Sequence, residues 1–326
     1  MSDAETVAVV IPSWNSAGLL ARCLDSLSGQ EAEIELLVVD NGSRDRSVEQ
    51  LVGRGVRHLA LEHNHGFAAA LNLGAAEVRA ETILALNADT VLEPGCVGRL
   101  LAALRADPGL GGVQPRILQL EGSGERLDVG AARLYSAGQA LTRDGRAVEL
   151  GAGEEQTADH LRGGEIFGVC GAACLLRREL FDRLGGYDER YFAFYEDVDL
   201  NVRARIAGWR FGYAPDAVVW HVGNAVWQQG FDRPSAENAR LVARNRLATQ
   251  AKFMPLAALP RIVAVEVGAL ARAARRRRFG ATLRGKLEAL RWLPMLRRER
   301  RRLAASGDVS RARRWLGSDG PGRRSS

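Results

Sequence analysis

Short apolar runs alternate with amphipathic stretches along the first 115 residues of the chain. The runs are rich in β-branched residues and lack polar alternation, which predicts strands buried on both faces at residues 7–11, 34–39, 56–61 and 82–86. Apolar residues at helical spacing predict helices at residues 16–27, 46–52, 66–78 and 94–106. This repetition predicts an α/β fold with a doubly wound, mostly parallel, Rossmann-like sheet that binds ligands at the carboxyl ends of its strands.

The pattern breaks between residues 119 and 164, where the chain is rich in Gly, Arg and Glu. This segment predicts an irregular insertion, with at most a weak hairpin, that could cover a site. Order returns with a strand within 167–176, helices at 178–184 and 196–207, and a last strand at 218–220. The chain is helical in pattern from Ala236 onwards. We expect an α/β domain over residues 1–250 and a helical extension over 251–326, with disorder at 317–326.

Charge is distributed unevenly between these two parts. The formal net charge of +6 hides a split, because residues 252–326 carry 20 Lys and Arg against 5 Asp and Glu. The first 251 residues carry 25 basic and 34 acidic groups. A basic tail on an acidic body indicates a polyanionic partner, which is a nucleic acid, an anionic membrane or a phosphorylated molecule.

The composition disfavours several protein classes. The acidic start of the chain is unlike a secretory signal, and no run of 18 apolar residues is present to span a bilayer. Four cysteines, Cys23, Cys96, Cys170 and Cys174, match no zinc or disulfide spacing and are expected to be reduced packing residues. We therefore expect a cytoplasmic protein.

Acidic residues end two predicted strands and start one predicted helix. Asp40 could bind a base or ribose, but Asp-Asn-Gly also favours an Asx turn. Asp89 could bind a divalent cation or cap a helix. Glu196, Asp197 and Asp199 suit the dipole of the helix that they start, and their mutual repulsion tends to raise a pKa, as a general base requires.

His221 follows the last predicted strand. A lone histidine is more often a packed or solvated residue than a ligand. Its place after a strand, in a chain with a candidate metal-binding aspartate, leaves both interpretations open.

Eight short motifs follow one another in a fixed order over about residues 7–250. They are VVIPSWN (9–15), VVDNGS (38–43), NHGFA (64–68), ALNLG (70–74), LNAD (86–89), GAACLLRR (171–178), GGYDE (185–189) and FYEDVDL (194–200), and His221 comes after them. Each motif is weak alone, but the ordered set is specific. The chain resembles the inverting family-two glycosyltransferases of the GT-A fold, most closely their rhamnosyltransferase-like branch.

The resemblance implies roles for individual residues. The pocket for the nucleotide sugar would be formed by Pro12, Asn15, Asp40, Asn64, Gly66, Asn72, Asn87 and Asp89, with Asp40 binding the base. Asp89 is similar to the last acid of the family's Asp-x-Asp motif and, with His221, would hold Mg²⁺ or Mn²⁺ against the donor diphosphate. Asn87 stands where that motif has its first acid, which leaves fewer protein charges on the metal. Asp197 resembles the catalytic base, with Glu196 and Asp199 as flanking acids.

The resemblance implies an inverting glycosyltransferase. It would move a sugar, with rhamnose as the first candidate, from a nucleotide-diphosphate sugar to a hydroxyl group of a lipid-linked or envelope-glycan acceptor. The donor would be dTDP-rhamnose or a UDP-sugar, although GDP-sugars share these motifs. A cation neutralises the leaving diphosphate, and a carboxylate deprotonates the acceptor for a single displacement.

The basic tail combines two arginine-rich runs with apolar residues between them. The runs are at 275–278 and 297–302, and the apolar residues between them are Phe279, Leu283, Leu287, Leu290, Trp292, Leu293 and Leu296. A basic amphipathic helix suits the surface of an anionic bilayer. A solvated tail without a partner stays possible, and a nucleic-acid arm is disfavoured because no reader motif accompanies the charge. We expect peripheral association with the cytoplasmic face of the inner membrane and no nucleic-acid partner.

Three other functions compete with glycosyl transfer. A sugar-1-phosphate nucleotidylyltransferase would need a basic, Gly-rich loop after the first strand, and residues 12–18 contain no Lys or Arg. An inactive nucleotide-sugar-binding or scaffold protein at the membrane is weaker because Asp89, Asp197 and His221 are all present. A nucleic-acid-binding protein driven by its tail would show salt-dependent DNA binding.

Overall fold

The computed structural model describes residues 6–120, 128–222 and 235–317. The expected lack of a secretory signal at residues 1–5 and the expected disorder of residues 318–326 lie outside the described residues.

Strands and helices alternate in the first half of the chain as the apolar pattern predicts. They are β1 (Thr6–Ser13), α1 (Ala17–Asp25), β2 (Glu33–Asp40), α2 (Ser47–Gly53), β3 (His58–Ala60), α3 (Phe67–Glu77) and β4 (Thr82–Leu86). The strands pair in parallel in the order β3-β2-β1-β4. Helix α3 packs so closely on the sheet that a Cβ atom on Gly74 would lie 2.4 Å from Val10.

The segment predicted to be irregular is built from short strands. After β5 (Thr90–Leu92), α4 (Cys96–Ala106) and β6 (Leu110–Gln119) come β7 (Leu134–Ser136), β8 (Gln139–Leu141), β9 (Ala147–Glu149) and β10 (Gly164–Ile166). β8 and β9 form an antiparallel hairpin, and β7 pairs with β6.

The rest of the sheet mixes parallel and antiparallel pairing. It is completed by β11 (Ala173–Arg177), α5 (Arg178–Leu184), α6 (Glu196–Ala207) and β12 (Arg210–His221). The sheet continues beyond β4 in the order β11-β6-β12-β10, with β11 antiparallel to both neighbours and β12 parallel to β6. The predicted α/β fold is confirmed, and it brings the ends of β1, β2, β4 and β12 towards one crevice.

The two longest strands, β6 and β12, differ from the sequence prediction. β6 is not predicted, because Gly111, Gly112 and Pro115 interrupt its apolar pattern, yet it forms a central strand between β11 and β12. β12 spans twelve residues rather than 218–220. Its register shifts between Ala214 and Val218, where Pro215 and Asp216 interrupt the apolar run that would have marked the strand.

Helices account for most of the C-terminal part of the chain, as predicted. They are α7 (Ala236–Phe253), α8 (Leu259–Arg275), α9 (Phe279–Arg291), α10 (Leu293–Ser306) and α11 (Val309–Arg313). Helix α7 crosses the expected domain boundary at residue 250. None of the helices in the described ranges is both long enough and apolar enough to cross a membrane. All four cysteines are buried and unbridged, as expected.

Buried ion pairs join the helical extension to the α/β domain. On α7, the ammonium of Lys252 lies 2.6 Å from a carboxylate oxygen of Asp199 on α6 and 3.2 Å from Glu299 on α10. Arg190 lies 2.6 Å from Glu299. The extension therefore packs directly against α6, the helix that begins with Glu196 and Asp197.

Candidate functional site

A cavity of about 340 Å³ opens where the ends of β1, β4 and β12 meet the start of α6. Eight of the residues predicted for the site line it: Pro12, Asn64, Gly66, Asn87, Asp89, Glu196, Asp197 and His221. The fold therefore gathers residues that are up to 209 positions apart in the chain into one crevice at the carboxyl ends of parallel strands, where α/β folds bind ligands.

The other three predicted residues are not among those that line the cavity, and each makes a hydrogen bond to a loop. The side chain of Asn15 accepts a hydrogen bond from Arg44 N at 2.8 Å. Asp40 accepts a hydrogen bond from Ser43 N at 3.1 Å, as in the Asx turn that the sequence also favours. Burial raises the pKa of Asp40. Asn72 donates to Tyr187 O and accepts from Tyr187 N, both at 2.9 Å, so it joins α3 to the loop before α6.

Asn87, Asp89 and His221 form a compact group at one end of the cavity. The Nε2 atom of His221 lies 3.1 Å from Asp89 Oδ1 and 3.3 Å from Asn87 Nδ2. β5 and β12 pair through Thr90 and His221, which fixes this proximity in the backbone. The ring of Tyr135 packs edge-on against His221, with ring centroids 4.4 Å apart.

This group fits a hard divalent cation. A carboxylate, an amide oxygen and an imidazole are ligand types that Mg²⁺ or Mn²⁺ accept. The Oδ1 atom of Asn87 is buried and has no hydrogen-bond partner among the described residues, which is costly unless a ligand satisfies it. Asn87 thus retains an oxygen donor where the related motif has its first acid.

Asp197 also lines the cavity and is held by three donors. Its Oδ2 atom accepts from Gln139 Nε2 at 2.7 Å and from Gly171 N at 2.9 Å, and its Oδ1 atom accepts from Val198 N at 2.7 Å. Burial raises the pKa of Asp197, and the hydrogen bonds offset part of that increase. The result is an oriented carboxylate with an increased affinity for a proton.

Glu149 lies beside Asp197 and was not singled out from the sequence. Gln139 Nε2 also donates to Glu149 Oε1, at 2.9 Å, so one amide bridges the two carboxylates. Burial, followed by the charge of Asp197, raises the pKa of Glu149 to about 7. The Sγ atom of Cys170 lies within 4.8 Å of carboxylate oxygens of both residues, and burial raises the pKa of the thiol far above its ordinary value.

The other two acids at the start of α6 have different environments. Burial and the neighbouring charge of Asp197 raise the pKa of Glu196 well above its usual range. Asp199 has no exposed surface; burial alone would raise its pKa, but Lys252 and Arg203 lower it overall. Asp199 is therefore a structural anion, and Asp197 is the acid of this cluster that is presented to the cavity in a hydrogen-bonded frame.

The loop before α6 is strained and is held from α7. Phe192, Phe194 and Tyr195 all have positive φ angles, between 65° and 69°, which non-glycine residues rarely adopt. The Nδ2 atom of Asn245 lies 2.8 Å from Tyr191 O, 2.8 Å from Ala193 O and 2.7 Å from Phe194 O. Asn245 thereby fixes the backbone that leads into Glu196 and Asp197.

Gly66 lies against the same loop. Its φ is +92°, and a Cβ atom there would lie 2.5 Å from Phe192 O, so glycine is required by both conformation and space. Asn41, which the sequence did not single out, donates to Asn64 Oδ1 at 3.0 Å and to Gly66 O at 3.1 Å. The end of β2 therefore positions the loop that carries two of the predicted donor-site residues.

Comparison with known proteins confirms the resemblance seen in the motifs. The sequence model of the family described as glycosyl transferase family 2 matches residues 8–185. The N-acetylglucosaminyl-diphospho-decaprenol L-rhamnosyltransferase of Mycobacterium tuberculosis is 31% identical over 240 residues, which are 67% of this chain and 76% of that protein.

Solved structures show the same fold at low identity. GalNAc-T7 with UDP, GalNAc and Mn²⁺ matches with a TM-score of 0.59 and 18% identity, over 77% of this chain and 51% of that one. The mannosyltransferase PcManGT from Pyrobaculum calidifontis, in complex with GDP-Man and Mn²⁺, matches with a TM-score of 0.51 and 19% identity, over 96% of this chain and 87% of that one. Both are glycosyltransferases of the GT-A type, as the sequence motifs predict.

Proposed function

The chain belongs to glycosyl transferase family 2 and is a glycosyltransferase, and we propose that it inverts the anomeric carbon of a nucleotide-diphosphate sugar as it transfers the sugar to a lipid-linked hydroxyl. One observation carries the proposal: the ligand set Asn87, Asp89 and His221 and the oriented carboxylate of Asp197 line the same cavity. A single displacement needs a ligand set at the leaving diphosphate and a carboxylate at the attacking hydroxyl.

Asp197 is the proposed base. It takes the proton of the acceptor hydroxyl as the oxygen attacks the anomeric carbon from the face opposite the diphosphate. The new glycosidic bond forms as the bond to the diphosphate breaks, so the configuration inverts and no enzyme nucleophile is required. Gln139 and Gly171 N keep the carboxylate in one orientation, and its raised pKa increases its driving force as a base. We propose Glu196 as a flanking acid beside the base, where its raised pKa favours the protonated form.

Asn87, Asp89 and His221 would hold Mg²⁺ or Mn²⁺ at the donor diphosphate. When bound, the cation acts as a Lewis acid that neutralises the leaving group. Pro12, Asn64 and Gly66 line the adjoining wall, where we propose that the nucleotide and the sugar lie. Asp40, Asn15 and Asn72 would support the same pocket from behind, through the loop contacts described above.

The relative from Mycobacterium tuberculosis supports a specific substrate class. Its name gives a rhamnosyl transfer to N-acetylglucosaminyl-diphospho-decaprenol. We propose that this chain likewise uses dTDP-rhamnose, with UDP-sugars as the second choice, and a polyprenyl-diphosphate-linked sugar of envelope glycan synthesis as acceptor.

A donor screen tests the proposal. The release of nucleoside diphosphate from dTDP-, UDP- and GDP-sugars is measured with N-acetylglucosaminyl-diphospho-polyprenol, with Mg²⁺ or Mn²⁺, and the product anomer is assigned by NMR. We expect acceptor-dependent release from dTDP-rhamnose and inversion. Retention would overturn the inverting mechanism, and donor binding without release from any donor would favour the inactive nucleotide-sugar-binding or scaffold protein.

A further inference from the structure

Helix α8 has an apolar face that packs against protein and a second apolar face that lies in solvent. Ile262 and Ala273 are buried, whereas Leu259 is 54%, Val263 53% and Val267 61% exposed. The exposed residues recur every four positions and so lie along one side of the helix. Leu256, in the turn just before α8, is 81% exposed and extends this row. We call Leu256, Leu259, Val263 and Val267 the outer row.

Positive charge borders the outer row, and negative charge is kept away from it. Arg261, Arg272, Arg275, Arg276 and Arg277 are exposed on or just after α8. The one acid between residues 256 and 278, Glu266, is buried and is paired with Lys286 and with Arg246, at 2.7 Å from the latter. The solvent side of this segment is therefore apolar along its length and cationic at its C-terminal end.

The outer row is an apolar surface additional to the one that the sequence pattern indicates. The sequence pattern indicates the apolar residues between 279 and 296 as the membrane-facing side of the tail. Leu296 is buried, and Trp292 and Met295 pack with it and with Ala248 of α7. Leu296, Trp292 and Met295 therefore attach the start of α10 to α7. Phe279, Leu287 and Leu290 stay 46–48% exposed, and the outer row is more exposed still.

We propose that the outer row of α8 inserts into the surface of an anionic lipid bilayer, with the bordering arginines at the headgroups. An in-plane helix needs an apolar face and basic residues that reach anionic lipids, and α8 has both. A second copy of the chain that docks through the same extension would bring no excess negative charge to these arginines, because that extension is basic. A bilayer complements the apolar row and the charge together. This contact goes beyond glycosyl transfer and does not depend on Asp197.

Vesicle binding of the full chain tests the contact. Sedimentation is compared with vesicles of phosphatidylcholine alone and of phosphatidylcholine with phosphatidylglycerol. We expect binding to the anionic vesicles and at least tenfold weaker binding of the triple variant L259S/V263S/V267S. We also expect at least tenfold weaker binding of R272Q/R275Q/R276Q/R277Q, since each basic residue near the surface adds to the attraction. Anionic-vesicle binding by the triple variant equal to that of the wild type would overturn the proposal.

Matched controls separate insertion from general loss of apolar surface. Val52 is 64% and Leu161 51% exposed, far from α8 in the sequence, so V52S/L161S should bind vesicles as the wild type does. Thermal unfolding and transfer to a detergent-dispersed acceptor should be unchanged in the triple variant, which distinguishes a failed membrane contact from a failed enzyme assignment. Self-association that L259S/V263S/V267S abolishes, without vesicle binding, would instead assign the row to a second copy. DNA binding tighter than vesicle binding would assign the charge to nucleic acid.

Discussion

The side-chain nitrogen of Asn245 lies 2.7 Å from the carbonyl oxygen of Phe194, two residues before Glu196. This contact reaches from α7 to a loop in which three non-glycine residues have positive φ angles. Such angles cost free energy and persist only where surrounding contacts hold them. The same loop sets the start of α6 and hence the direction of the Asp197 carboxylate, so a residue outside the cavity positions the base within it.

Replacing Asn245 with Ala should lower kcat by about 100-fold, because a misplacement of about 1 Å in a reacting group costs that much. The donor dissociation constant should change little, since Asn245 does not line the cavity. Steady-state kinetics and calorimetric titration with donor measure the two effects. Asn238→Ala, at another buried position on α7, is the control and should leave kcat unchanged. Equal losses in both variants would mean that Asn245 only stabilises the helix.

Glu149 should make the stability of the protein depend on pH. Burial raises its pKa from 4.5 to about 7, so between these values the folded state keeps a proton that the unfolded state has lost. Its contribution to the free energy of unfolding therefore decreases as the pH rises from about 4.5 to 7. Urea unfolding at several pH values should show a smaller decrease over this range in Glu149→Gln. An unchanged pH dependence would contradict the shifted pKa.

Asp89 and His221 should be needed for cation binding itself, apart from turnover. Titration of Mn²⁺ in the presence of nucleoside diphosphate, followed by electron paramagnetic resonance, should show at least tenfold weaker binding in Asp89→Asn and in His221→Ala. Asp197→Asn, which leaves Asn87, Asp89 and His221 in place, should bind Mn²⁺ as the wild type does. Weaker Mn²⁺ binding in Asp197→Asn alone would place the cation at the Glu149, Cys170 and Asp197 group instead.

Lys252 should be a large contributor to stability. Its ammonium lies 2.6 Å from Asp199, which has no exposed surface. Lys252→Met would leave that carboxylate with Arg203 as its remaining close cation, and breaking a buried pair costs about 3–5 kcal/mol in the free energy of unfolding. Adding Asp199→Asn should recover part of the loss, which urea unfolding can measure. If Lys252→Met changes the free energy of unfolding by less than about 1 kcal/mol, as is usual for an exposed ion pair, the Lys252–Asp199 pair is well solvated.

The sequence predicts the first half of the sheet well because each of its strands is a continuous apolar run. β6 and most of β12 escape prediction because Gly, Pro and polar residues interrupt their runs, and only pairing with neighbouring strands makes them regular. The residues that line the cavity at strand ends are recognisable from motifs. Gln139, Glu149 and Asn245 are not, because a lone polar residue in an insertion or a helix gives no local signal. Gln139 and Asn245 gain their roles through contacts with residues 58 and 51 positions away.

The assignment of Asp197 as the base is tested most directly by Asp197→Asn. The variant keeps the size of the side chain and loses the proton acceptor. We expect acceptor-dependent release of nucleoside diphosphate to fall by at least 1,000-fold, in the range that a positioned base and its orientation contribute together. Donor affinity, measured by calorimetry in the presence of Mn²⁺, should stay within a few-fold of the wild type. Near-normal turnover in Asp197→Asn would contradict the account.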